Sequence, residues 1–94
     1  MRYSQPLFEL GQIVTTRSIA DSVDPSKVAS MIRNHITGNW GEGGVLCNED
    51  IDLNHEAIKN GDRVLSAYMV QGQKVYVITE WDRSYTTVLY AEEY

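Results

Sequence analysis

Two groups of residues in this chain carry side chains that could do chemistry. The first is the run Glu80-Trp81-Asp82-Arg83-Ser84-Tyr85, set between two stretches of β-branched and aromatic residues. Aromatics and an arginine at a tight turn are the usual makings of an interface anchor, so Glu80, Trp81, Asp82, Arg83 and Tyr85 are candidate partner-binding residues. The plainer reading is a turn in which Arg83 pairs with a neighbouring carboxylate, worth well under about 1 kcal/mol at an exposed site. The second group is acidic. Between Asn34 and Ile58 there is no Lys or Arg, whereas Glu42, Glu49, Asp50, Asp52 and Glu56 all fall there. A solvated helix face explains them. The alternative is that their carboxylates stand in for phosphates and engage a protein partner at its basic, nucleic-acid-binding surface, where charge complementarity speeds encounter and fixes orientation.

The other reactive side chains form no recognisable set. Asn48-Glu49-Asp50-Ile51-Asp52 spaces its oxygens like the opening of a calcium loop. Leu53, however, stands where that loop needs Gly, and Lys59 where it needs Glu. His35 and His55 fall on different predicted helices, and with Cys47 they make no spaced zinc set. No strained nucleophile elbow surrounds a Ser or Cys. The glycine-rich Gly38-Asn39-Trp40-Gly41-Glu42-Gly43-Gly44 lacks the Gly-Lys-Ser/Thr of a phosphate loop. Trp40 within it suits a ring tucked onto the core, or an exposed anchor. No catalytic residue, cofactor or metal is expected.

These residues must be positioned by one small domain, since 94 residues allow one modest core spanning 1–94. No apolar run approaches the roughly 20 residues that span a bilayer. Met1-Arg2-Tyr3-Ser4-Gln5-Pro6 lacks the apolar region of a secretory leader, so the expected compartment is the cytoplasm. A single cysteine, Cys47, excludes an internal disulfide. The formal charge of −5 argues against direct nucleic-acid binding and against an anionic membrane surface.

The pattern of residues predicts an α+β fold: two main helices, about 25–37 and 49–60, packed on a three-stranded antiparallel meander, about 63–70, 74–81 and 86–91. Asp24-Pro25 is a helix start, with Asp as N-cap and Pro at the first helical position. Val28, Met31, Ile32, His35 and Ile36 form its stripe, and Gly38 ends it. Asn48 is the expected cap of the second helix, with Ile51, Ala57 and Ile58 buried and Leu53 at the margin. Asn60-Gly61 stops that helix. Gln71-Gly72-Gln73 links the first two strands, with Gly72 at positive φ. Upstream, Phe8 to Thr16 reads as an extended segment that starts a short strand. Thr16 or Ser18 then caps a short helix over 19–23. Alternation puts Leu65, Ala67 and Met69 on one side of the sheet and Val64, Ser66 and Tyr68 on the other, without showing which side is covered.

The chain resembles a family of short proteins carried by bacterial plasmids and integrative elements, usually called plasmid-related. Some members are labelled as a restriction methyltransferase subunit. The matching pieces are Phe8 to Thr16, Asn39-Trp40-Gly41, Asn54 to Gly61, Arg63 to Tyr68, Val77 to Leu89 and the closing Glu93-Tyr94. Ninety-four residues leave no room for a methyltransferase sheet and a target-base pocket. Two departures, Glu42-Gly43-Gly44-Val45 as an insertion and Trp81 in place of a small residue, suggest a partner surface of this chain's own. The resemblance implies a non-enzymatic interaction protein of a mobile element, and by analogy an inhibitor of host CRISPR or restriction machinery. The alternative is a small-ligand or regulatory domain serving the element's own transcription or maintenance. Oligomeric state stays open.

Overall fold

A computed structural model describes residues 5–41 and 46–94. Glu42, one of the acidic candidates, and the rest of the Glu42–Val45 insertion lie outside them. Along the chain come β1 (Gln12–Thr15), α1 (Arg17–Ser22), α2 (Pro25–Ile36), α3 (Asn48–Asn60), β2 (Val64–Val70), β3 (Gln73–Thr79), β4 (Tyr85–Tyr90) and a closing 3-10 turn, Ala91–Glu93.

The β-rich second half forms the antiparallel meander that its alternation predicts, but the sheet does not stop there. Its order is β1-β4-β3-β2, and β1 runs parallel to β4 with Gln12 beside Tyr85 and Thr15 beside Val88. The expected three-stranded antiparallel meander is therefore corrected to a four-stranded mixed sheet. The extended segment before Thr16 does make a short strand, and its partner is the last strand of the chain. Glycine permits that approach. Gly11 adopts φ +66°, and a Cβ there would meet the backbone of Arg83 and Ser84 at 2.4 Å. The β2–β3 link is a two-residue turn with Gln71 at φ 51° and Gly72 at φ 80°, the combination a type I′ hairpin requires.

Helix ends follow their capping chemistry, with one exception. Thr16 accepts from the Ile19 N–H to start α1, and Asp24 accepts from the Ser26 N–H with Pro25 at the first helical position of α2. α3 departs from expectation. Cys47, not Asn48, is its N-cap residue, and it makes no side-chain cap. Its thiol donates instead to Asp50 Oδ2 at 3.3 Å. Glu49 and Asp50 in the first turn favour the positive end of the helix dipole. Gly61, left-handed at φ 77°, closes α3.

Register places Ser66 opposite Val77 opposite Val88, and Tyr68 opposite Val75 opposite Tyr90. This is the face that α1 and α2 cover. Ile19, Val23 and Met31 pack there on Val70, Val75, Val77 and Val88, with Val28 and Ile32 alongside. A second cluster joins Trp40, Leu46 and Ala57 to Val64 and Ala67. Trp40 is thus core, and its indole N–H donates to the His35 carbonyl at 3.0 Å. α3 lies along the outer edge of β2. Its buried Asn54 donates to the Leu65 carbonyl at 2.6 Å and accepts from the Leu65 N–H at 3.0 Å, as a neighbouring strand would. That assignment revises the expected apolar stripe of α3. Asn54 and Ala57 are its buried residues, Ile51 and Ile58 are half-buried, and Leu53 points outward, 60 % exposed. Asn54 is inside because β2's outward-facing backbone needs a hydrogen-bonding partner there more than it needs an apolar neighbour.

Candidate interaction surface

The turn between β3 and β4 is built from the polar residues that sequence singled out. β3 ends at Thr79, so Glu80 and Trp81 belong to the turn. Arg83 N–H donates to the Glu80 carbonyl at 2.9 Å, and Arg83 takes φ 60° so that the chain can return. Asp82 Oδ1 accepts from the Ser84 N–H at 3.1 Å and from the Ser84 hydroxyl at 2.6 Å. Those bonds hold the Asp82 carboxyl below its usual range. Asp82 therefore serves the turn.

Arg83 serves it too, and in a way neither sequence reading anticipated. No carboxylate pairs with it among the described residues; the one ion pair among them is Arg17–Asp21, at 3.9 Å. The guanidinium is half-buried and donates to main-chain carbonyls: Asp62 at 2.6 Å, Glu80 at 3.1 Å and Ala57 at 3.2 Å. It also lies 5.6 Å from the centre of the Phe8 ring. One cation thus ties the C-terminal end of α3, the β3–β4 turn and the N-terminal segment together, adding a third donor to the Ala57 carbonyl, which already accepts from the Gly61 and Asp62 N–H groups. Lysine has no planar fork to span these acceptors. Arg83→Lys is expected to lower stability by roughly 2 kcal/mol and to speed amide exchange in the last turn of α3. Denaturant unfolding and hydrogen exchange measure the two effects.

This clamp sets Trp81 beside α3. Trp81 is 66 % exposed and Leu53 60 % exposed. Together with Glu56, Asp62, Arg63 and Glu80 they line an open depression of about 570 Å³, with the buried Ala57 at its base. Two widely separated stretches of sequence, the acidic helix and the turn, meet there through Glu56, Glu80 and Trp81. Glu49, Asp52, Leu53 and Glu56 are all exposed and recur at helical spacing, so Glu49 and Asp52 extend the same face of α3. Arg63 is the one cation of the lining, and its guanidinium lies 5.7 Å from the centre of the Tyr94 ring.

Other candidates fall elsewhere. Asp50 is half-buried and bonded to Cys47. Tyr85 starts β4 beside Gln12 and projects from the sheet face opposite α1 and α2, 42 % exposed, outside the depression. Leu53 and Asp62, which do line it, drew no functional reading from sequence. The exposed leucine inside an acidic helix was the available signal.

Helical spacing puts His35 on the inward stripe of α2, but the polar partners it meets there come from distant strands. His35 is fully buried between Ser66 Oγ on Nδ1 and Thr79 Oγ1 on Nε2, the latter at 2.8 Å. Thr79 continues to Thr86 at 2.6 Å, and Thr86 donates to the Leu10 carbonyl at 2.7 Å. That last bond fixes the direction of the chain. Thr86 spends its proton on Leu10, so Thr79 donates to Thr86, His35 Nε2–H donates to Thr79, and Ser66 donates to a neutral Nδ1. Burial, with Arg83 nearby, pulls the His35 pKa down to about 3. A serine bonded to a histidine has the outline of a nucleophile and its base. Here both are fully buried and the imidazole is a very weak base, so the group can link α2 to the sheet but cannot take a proton from Ser66 near neutral pH. His55 stacks edge-on against Trp40 at 4.8 Å, and Cys47 is exposed. No three His, Cys, Asp or Glu residues gather as a metal set among the described residues. No helix among them is long and apolar enough to cross a membrane.

No family model, curated protein or solved structure matches the chain.

Proposed function

We propose that this chain is a non-enzymatic, acidic interaction protein that binds a basic surface of a protein partner through the α3–turn depression. The observation that carries this reading is the exposed pair Leu53 and Trp81 framed by Glu56, Asp62 and Glu80. An aromatic and a leucine at the centre, with charges around them, is the anatomy of a contact whose apolar anchors supply affinity and whose rim supplies orientation. The complementary partner segment is rich in Lys or Arg and carries an apolar side chain that seats between Leu53 and Trp81. The resemblance to plasmid- and integrative-element-borne proteins supports a mobile-element setting. By analogy, it supports an inhibitor of a host defence nucleoprotein of the CRISPR or restriction type, acting in the cytoplasm. The net charge of −5 disfavours direct contact with nucleic acid.

Affinity purification from a host with active defence systems tests this. The wild-type chain should recover a basic nucleic-acid-binding protein in a salt-sensitive manner. Charge reversal at Glu49, Asp52 and Glu56 together should reduce recovery at least about tenfold, since each rim contact affects both encounter and register. Full recovery by the triple variant would remove the electrostatic role.

A second depression, of about 410 Å³, favours the small-ligand or regulatory alternative. It lies between α2 and the end of β2 and is lined by Lys27, Ser30, Asn34, Asn39, Tyr68 and Met69, among others. Under that reading a metabolite raises the melting temperature by mass action, with no protein partner.

A further inference from the structure

The two edges of the sheet are finished differently. On the β2 side, Asn54 takes up both outward-facing backbone groups of Leu65, and the Trp40 carbonyl accepts from the Ala67 N–H at 2.8 Å. On the β1 side, Gln12 and Thr16 donate to the Ser84 and Val88 carbonyls at 3.1 Å each. Alternation then turns the N–H and C=O of Ile13 and Thr15 away from β4, and no described strand lies beyond them. Exposed edges are normally blunted by Lys, Pro, a bulge or a covering element. Gln12–Thr15 carries no charge and no proline, and Ile13 and Val14 remain 42 % and 40 % exposed.

We propose that β1 pairs antiparallel with the β1 of a second copy of this chain about a two-fold axis, joining the two four-stranded sheets into one. Two further features fit that occupant. Ile13 and Thr15, in register with Thr86 and Val88, project to the face that α1 and α2 cover. Beside them on that face, Thr15, Ala20, Val23, Pro25 and Val28 line an open cleft of about 250 Å³. A second strand laid against β1 sends its own Ile13 into this cleft, and the symmetry repeats the contact.

Charge fits as well. Antiparallel pairing sets the residues before one strand beside those after the other. Exposed Glu9 precedes β1 and exposed Arg17 follows it, so unlike charges meet at both ends. Among the described residues Arg17 pairs with Asp21 alone, at 3.9 Å, and its side chain is 93 % exposed. The acidic residues of α3, Glu49, Asp50, Asp52 and Glu56, lie along β2 at the far edge of the sheet, away from the contact. Four paired residues make a small interface, which makes the dimer dependent on concentration.

Sedimentation equilibrium over a concentration series tests this, with amide exchange of the wild-type protein as a second readout. The mass should rise from 10.7 kDa toward twice that value. The Ile13 and Thr15 amides should become protected over the same range, while Gln12 and Thr16 stay protected throughout. Ile13→Lys should hold the mass at that of one chain with an unchanged circular dichroism spectrum. A mass that stays at one chain at every concentration overturns the proposal. So does a dimer that forms with Ile13 and Thr15 still exchanging freely, or one that folded Ile13→Lys leaves intact.

Discussion

Replacing Gly11 by alanine is expected to cost on the order of 3 kcal/mol and to detach β1 from β4. Two costs add. Left-handed backbone at φ +66° burdens an L side chain by about 1–2 kcal/mol, and forcing a methyl into filled space costs about 1–3 kcal/mol more. The space is filled by main chain, since a Cβ at residue 11 would lie 2.4 Å from the Arg83 carbonyl oxygen and from the Ser84 carbonyl carbon and oxygen. Relief therefore requires moving the β3–β4 turn, and with it the Arg83 clamp. Gly61→Ala is the internal control. It takes the same left-handed conformation at φ +77° but meets nothing within 4 Å, so it bears the backbone cost alone. Urea unfolding of both variants measures the difference, and equal losses at the two positions would show that Gly11 does not hold the parallel strand in place.

The second large effect is loss of stability in mild acid. His35 is neutral in the folded protein with a pKa of about 3, against an ordinary value of 6.5 for the unfolded chain. Between those values the unfolded state binds a proton that the folded state refuses. Stability is thus complete above about pH 6.5 and falls as pH is lowered, by up to about 1.4 kcal/mol per unit from this one group. Glu93 adds to the trend further down. Its carboxylate accepts from the Tyr90 N–H at 2.8 Å and the Thr16 hydroxyl at 3.0 Å, which hold its pKa low, so that stabilisation is lost as the carboxylate takes up a proton. Unfolding midpoints between pH 7 and 5 give the slope. His35→Gln should be less stable at pH 7, because an amide cannot reproduce both the Ser66 and Thr79 contacts, yet it should show a flatter slope. A slope unchanged by that substitution would assign the acid sensitivity to other groups.

What the sequence made legible was local. Asp24-Pro25, Asn60-Gly61 and Gln71-Gly72 each specify backbone geometry within a few residues, and all three fall at the expected ends of elements. β-branched alternation likewise located β2, β3 and β4. Features that depend on distant partners were not legible. The short strand at Gln12–Thr15 was legible, but its parallel partner β4, far along the chain, and the close approach that Gly11 permits were not. Asn54 is buried because of an unpaired sheet edge, which periodicity cannot register. Arg83 stood out as a charge at a turn, but two of the carbonyls that occupy it, those of Ala57 and Asp62, come from α3 and the following loop. The candidate surface divided in the same way. Glu56, Glu80 and Trp81 met as neighbours, whereas Asp82 and Arg83 were absorbed into the turn that presents them.

The central claim is that Trp81 and Leu53 anchor a basic partner. Fluorine NMR of the protein labelled with fluorotryptophan tests it most directly, because the partner's own tryptophans stay silent. The two labels begin in opposite environments, Trp40 3 % exposed in the core and Trp81 66 % exposed beside α3. Addition of the captured partner to saturation should move the Trp81 resonance and abolish its shift between light and heavy water, leaving Trp40 in place. A saturated complex in which the Trp81 resonance and its solvent shift match those of the free protein would contradict the claim.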